Sequence, residues 1–236
     1  MSDDELSLRI IGIDQGDEVA GARQLKLRTT RGEIPLIVHA AETPGRAVLC
    51  ISGAIGGFDG PAKLYARLGL ELPALGITLM RLNYRMPNEF GECVLDTMAG
   101  LTFLKAMQYE RAALIGHSFG GAVAINAGTL APIVTAVIAV SSQLFGAHVV
   151  AELAPRPLLL LHGTADSILP HECSERLYER AQEPRTLKLF PASAIVLPRR
   201  PTNCSKLSVT GWSNASDQSG RALAAEYSRR PRLPYG

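Results

Sequence analysis

Runs rich in apolar and β-branched residues alternate, along the first 190 positions, with segments whose apolar residues recur every three to four positions. The runs predict strands at 6–13, 24–29, 34–39, 47–52, 77–83, 112–115, 134–140, 157–162 and 186–190. The helical segments fall at about 61–72, 92–107, 119–128 and 170–180. The first three strands are separated only by the turn residues Gly16, Gly21 and Gly32, close enough to make them antiparallel neighbours. The later strands are separated by helices, the connection that a parallel sheet requires. The predicted fold class is therefore α/β, a mostly parallel, doubly wound sheet with helices on both faces, followed by an irregular C-terminal segment. No internal repeat is present.

Composition narrows this further. A chain of 236 residues, 47% hydrophobic and 19% charged, is long enough for one α/β domain and is not a disordered polymer. The longest apolar run, 131–140, is interrupted by Pro132 and Thr135 and is about half the length that crosses a bilayer. The N-terminal residues MSDDELSLRI are acidic where a signal peptide carries positive charge, which leads to the expectation of a cytoplasmic protein. A net charge of +2 gives no electrostatic ground for a nucleic-acid or membrane partner. Cys50, Cys93, Cys173 and Cys204 form neither a C-x-x-C pair nor a pattern with nearby histidines, so no metal site or disulfide framework is expected.

The charge is unevenly spread. Residues 191–236 carry seven basic and two acidic side chains, with five prolines and seven serines, and their apolar residues keep no period for long. The expected organisation is one domain over 1–190 and an atypical basic, Pro/Ser-rich tail over 191–236.

The chemistry begins at the predicted strand 112–115. It runs into Gly116-His117-Ser118-Phe119-Gly120-Gly121 and then a helix rich in small residues, the strand-turn-helix setting that gives a G-x-S-x-G string its meaning. So tight a turn excludes bulk two positions before and after the serine, and it presents the Ser118 hydroxyl at a helix N-terminus. From these residues the chain resembles the α/β-hydrolase superfamily over roughly 24–190, and the resemblance implies that Ser118 is a catalytic nucleophile. Two further segments are similar to family motifs. Ser52-Gly53-Ala54-Ile55-Gly56-Gly57 stands where the family has its H-G oxyanion loop, with Ser52 in place of the histidine. By resemblance the backbone N–H groups of Ala54 and Phe119 would face the oxyanion, each worth about 10² to 10³ in rate. His162-Gly163-Thr164-Ala165-Asp166 is similar to the family's H-G-x-x-D loop and makes Asp166 the triad acid. Each motif also has a structural reading: an ordinary serine turn, a glycine-rich loop, and an aspartate capping the helix that Pro170 opens.

Other polar residues read as structural. His117 should point away from its neighbour's hydroxyl and pack; His39 and His148 lie outside any motif. Glu92 and Asp96 are expected to be solvated or capping residues, and Arg81 and Arg85 to form surface salt bridges. Only residues 141–156 are available where related proteins insert a cap, room for one short helix, with Leu144, Phe145 and His148 as wall or core residues. This openness resembles the dienelactone-hydrolase and small-esterase branch. The implied partner is a small acyl substrate, and no metal or organic cofactor is implied.

The resemblance also exposes a gap. The family's triad histidine follows the last strand, yet no histidine occurs after His171, itself a poor substitute so close to Asp166. Read two nucleotides later, the tail places a histidine across the codons of Ala194 and Ile195 when the free base is chosen to suit. Independently of such choices, Thr202, Lys206, Thr210 and Asn214 then force polar positions four apart, and Cys204 and Trp212 force apolar positions eight apart. That is an amphipathic helix in another frame. A frameshift near 191–194 would thus replace the histidine loop and last helix; the alternative is a natural low-complexity tail. Losing the base of a serine protease costs about 10⁶ in kcat, so impaired hydrolysis of an ester or thioester is expected of this chain. The rival is a hydrolase-like protein that binds without turnover.

Overall fold

The computed structural model describes residues 7–42 and 45–191. The expectations placed on 192–236 lie outside the described residues. Nine strands, β1 (Ile10–Val19), β2 (Ala22–Thr29), β3 (Gly32–His39), β4 (Arg46–Ile51), β5 (Ile77–Leu82), β6 (Arg111–His117), β7 (Val134–Val140), β8 (Leu158–Gly163) and β9 (Arg185–Phe190), form one sheet in the order β1-β2-β3-β5-β4-β6-β7-β8-β9. The first three and the β3–β5 pair are antiparallel; all pairs from β5 through β9 are parallel. The predicted class is the one found.

The central strands read as unbroken apolar runs because both faces are covered. On β4, Ala47, Leu49 and Ile51 join a core with α2 (Phe90–Ala106), α3 (Phe119–Leu130) and α4 (Glu172–Arg180). Val48 and Cys50 point the other way, into a second core with α1 (Leu64–Glu71), Ile115, Ile138 and Leu161. The same alternation runs through β6, β7 and β8, so period two survives inside segments that are apolar at every position. None of the helices is long and apolar enough to cross a membrane, among the described residues.

β1 departs from expectation. It was predicted to end at 13 with Gly16 in a turn, but it continues to Val19, with Gly16 inside a register shift between Gln15 and Glu18. The extension is held by cross-strand pairing to β2, including Arg23–Glu18 and Arg28–Asp14 ion pairs, and the reversal comes at Ala20–Gly21, both at positive φ. The predicted helix 61–72 is likewise split: a 3-10 turn at Pro61–Lys63 precedes α1, because Ala62 and Lys63 adopt left-handed conformations. The short element expected within 141–156 is a 3-10 helix, His148–Leu153.

The strand order reverses direction at β4. β4 connects to β5 on one side, and the chain then crosses to β6 on the other. The C-terminal ends of β4 and β6 therefore diverge into loops around a crevice at the topological switch point, where open α/β sheets bind ligands.

Candidate active site

Ser118 sits at the bend between β6 and α3 with φ 56° and ψ −121°, outside the regions ordinary residues favour. Two missing methyl groups permit the bend. A Cβ on Gly116 would lie 2.0 Å from the Gly120 carbonyl oxygen, and one on Gly120 would lie 2.1 Å from the Ser52 oxygen. The Ser118 N–H donates to the Val140 carbonyl (2.9 Å), tying the bend to β7. The Phe119 N–H is the first of α3, where helical geometry offers no internal acceptor.

The loop after β4 lies directly against this bend. A Cβ on Gly53 would be 3.9 Å from Ser118 Cβ and 3.6 Å from His117 Nδ1, so the segment carrying Ala54 passes beside Ser118. Two buried tyrosines fix its start from opposite faces: Tyr65 donates to the Ile51 carbonyl (2.8 Å) and Tyr84 to that of Ser52 (3.0 Å). Burial raises both phenol pKa values, keeping them as donors. The loop itself closes through Gly56 N–H to the Gly53 carbonyl (3.0 Å) and Gly57 N–H to Asn83 Oδ1 (2.8 Å). Ser52, in the histidine's place, is buried with its Oγ unpaired.

Asp166 follows β8 on the same sheet edge, two strands from β6. With strands about 4.8 Å apart, the two loops stand roughly 10 Å apart along the edge, a span that two side chains and an imidazole can fill. Its Oδ1 accepts from the N–H groups of Ile168 (2.9 Å) and Leu169 (3.0 Å), which closes its own loop; it does not cap the following helix, which begins at Glu172 rather than at Pro170 and has His171 as its N-cap. Its Oδ2 is buried without a hydrogen-bond partner. His162 braces this loop: its Nε2 lies 2.9 Å from the Leu169 carbonyl and its Nδ1 2.7 Å from Ser174 Oγ. A carbonyl can only accept, so Nε2 donates to it, while Nδ1 and the Ser174 hydroxyl share the second hydrogen bond. Asp166 Oδ2, 3.5 Å from the same Nε2, receives no such bond.

His117 links the two halves. Burial lowers its pKa to about 4, the Asp166 carboxylate pulling it up and His162 pushing it down, so the three side chains share one electrostatic neighbourhood. The imidazole is neutral at pH 7, with Nε2 buried and unpaired. His171, at the start of α4, faces Glu172 (3.5 Å).

Three side chains sit differently from their sequence expectation. Asp96 is not solvated but 0% exposed, paired with the Arg85 guanidinium and accepting from the Arg85 N–H (2.8 Å). Arg85 also meets Glu92 (2.7 Å), and it is not on the surface. Arg81 is buried as well and reaches Asp59 Oδ1 (2.9 Å), which anchors the far end of the 53–60 loop. Their polarity predicted exposure; instead Arg85 and Asp96 are enclosed as a pair against α2, and Arg81 is buried on the opposite face of the sheet, beside Cys50. The bracing by His162, Tyr65 and Tyr84 went unassigned from sequence. His162 had a signal, its place in the H-G-x-x-D string, whereas the tyrosines had none.

Comparisons with known proteins agree with the architecture. No family model matches the chain. The uncharacterised protein YfhR of Escherichia coli K12 is 48% identical over 46 residues, which are 20% of this chain and 16% of that protein. Its counterpart in Salmonella typhi is 45% identical over 42 residues, 18% of this chain and 14% of that protein. Among solved structures, an alpha-beta serine hydrolase homologue from Coxiella burnetii superposes with a TM-score of 0.64 at 18% identity, over 76% of this chain and 91% of that one. A dienelactone hydrolase from Anabaena variabilis gives 0.61 at 15% identity, over 88% and 96%. A serine hydrolase without lid from Xanthomonas campestris gives 0.55 at 18%, over 76% and 88%. The strand order, the glycine-flanked bend and these likenesses together show that the chain has the α/β-hydrolase fold.

Proposed function

We propose that this chain carries the active-site scaffold of a serine hydrolase for carboxylic esters or thioesters. The observation that supports the reading is the strained Ser118 bend with the 53–57 loop packed against it, and the unpaired Oδ2 of Asp166 in a loop on the same end of the sheet. In this reading Ser118 Oγ attacks the acyl carbon and gives up its proton to an imidazole held by Asp166. The Ala54 and Phe119 N–H groups stabilise the oxyanion, and the alcohol or thiol leaves with that proton. Water then releases the acid from the acyl-serine by the same steps. No metal enters these steps.

The imidazole is the missing part. His117, the last residue of β6, does not fill the role: burial keeps it neutral only by making it a poor proton acceptor. The absence of any histidine after His171 favours a second reading, a binding protein that uses the crevice without turnover. Hydrolysis of p-nitrophenyl acetate separates the two when measured for this chain, for a version read in the neighbouring frame after about residue 191, and for Ser118→Ala of that version. Activity confined to the frame-corrected Ser118 form, roughly 10³-fold or more above the others, supports hydrolysis. Binding without turnover in all three supports the second reading, and an open-frame analysis of resequenced DNA decides the frameshift itself.

A further inference from the structure

Four of the ten large apolar side chains left in water among the described residues lie along one end of the sheet. Ile55 (97% exposed), Met86 (50%), Phe145 (76%) and Ile168 (76%) come from the loops after β4, β5, β7 and β8. In the strand order these loops flank the Ser118 bend on both sides, all on the C-terminal edge, so the apolar rim is roughly 20 Å across. None of the four is explained by the hydrolytic chemistry.

Phe145 does not stand alone. Its ring meets Phe90 edge to face (6.1 Å), and Phe90 meets Phe119 in the same way (5.7 Å). The Gly146 backbone presses on Phe90, where a Cβ would come within 2.4 Å of the ring, so this row is seated by packing. It leads from solvent to the residue adjoining Ser118. On the other flank, Ile55 is carried by a loop hydrogen-bonded into place, so its exposure is built rather than incidental.

We infer that the acyl part taken by this site is an uncharged medium-length alkyl or aryl group, lying along Phe145 and Phe90 with Ile55 and Ile168 at its flanks, rather than acetyl. The inference rests on the hydrolase reading for the placement of the acyl carbon, not for turnover. Each methylene removed from water gains roughly fourfold in affinity, so the four that separate hexanoyl from acetyl give at least about tenfold even when partly covered.

The test uses the full chain as Ser118→Ala, with binding of ethyl hexanoate and ethyl acetate followed by ligand-observed NMR titration and folding checked by circular dichroism. The hexanoate ester binds at least tenfold tighter, and adding Phe145→Ala cuts that ratio threefold or more. Leu130→Ala, at the opposite edge, leaves it unchanged. If Ser118→Ala fails to fold, the same titration is run on the unsubstituted chain. Equal affinities, or a ratio indifferent to Phe145→Ala, overturn the inference. Chain-length preference without Ser118-dependent turnover in any form keeps this inference and removes the hydrolase reading; turnover without chain-length preference does the reverse.

Discussion

Ser118 is held in a conformation that costs a non-glycine residue of order 1–3 kcal/mol, and two flanking glycines are what make it attainable. Restoring either methyl group brings it within about 2 Å of a backbone oxygen that no side-chain rotation can move. Gly116→Ala and Gly120→Ala are therefore each expected to cost more than about 3 kcal/mol in urea unfolding, or to abolish soluble protein. A loss below 1 kcal/mol for both would mean that the bend is not packed as described. This part of the site was legible in the sequence because it is a local steric rule written in residue types. The unpaired Oδ2 of Asp166 was not: the motif supplies a carboxylate, but only the bonds made by Ile168, Leu169 and His162 decide which oxygen is left unpaired.

The joint between β5 and α2 shows the converse at the level of elements. Asp96 occupies a position on α2 that charge alone would assign to solvent, yet it is fully enclosed with Arg85, itself 4% exposed. Burial raises the Asp96 pKa while the Arg85 N–H and guanidinium pull against it. Asp96→Ala leaves a buried guanidinium with Glu92 alone as its carboxylate, and is expected to cost about 3–5 kcal/mol by chemical denaturation. Gly91, in the first turn of the same helix, has open space around its missing Cβ. Gly91→Ala should stabilise by about 0.5–1 kcal/mol, and the pair of variants measured together separates a packing effect from a propensity effect.

Across the whole molecule, stability is coupled to pH through the crevice. His117 has a folded pKa of about 4 against 6.5 for an unperturbed imidazole, so between these values the unfolded chain binds a proton that the folded one refuses. Stability contributed by the neutral ring is complete above pH 6.5 and falls as pH drops, by about 2 to 3 kcal/mol at pH 4.5. Urea midpoints at pH 7 and pH 4.5 should show this slope, and His117→Gln should flatten it. His39, whose pKa is lowered by burial and then by Arg81, adds a loss of the same sign that survives in that variant. An unchanged slope in His117→Gln would place the titration elsewhere.

The alternation of apolar runs with helical periods determined by itself the nine strands and four α-helices found among the described residues, and that the early strands pair antiparallel, because period and turn chemistry are properties of neighbouring residues. The glycine spacing around Ser118 belongs to the same class. What tertiary structure alone decided is the order that sets β5 outside β4, the crevice that results, the enclosure of Asp96 and Arg85, and the apolar rim of Ile55, Phe145 and Ile168. Each depends on which distant surfaces meet, and a side chain's burial or exposure is fixed by what packs on it rather than by its own polarity.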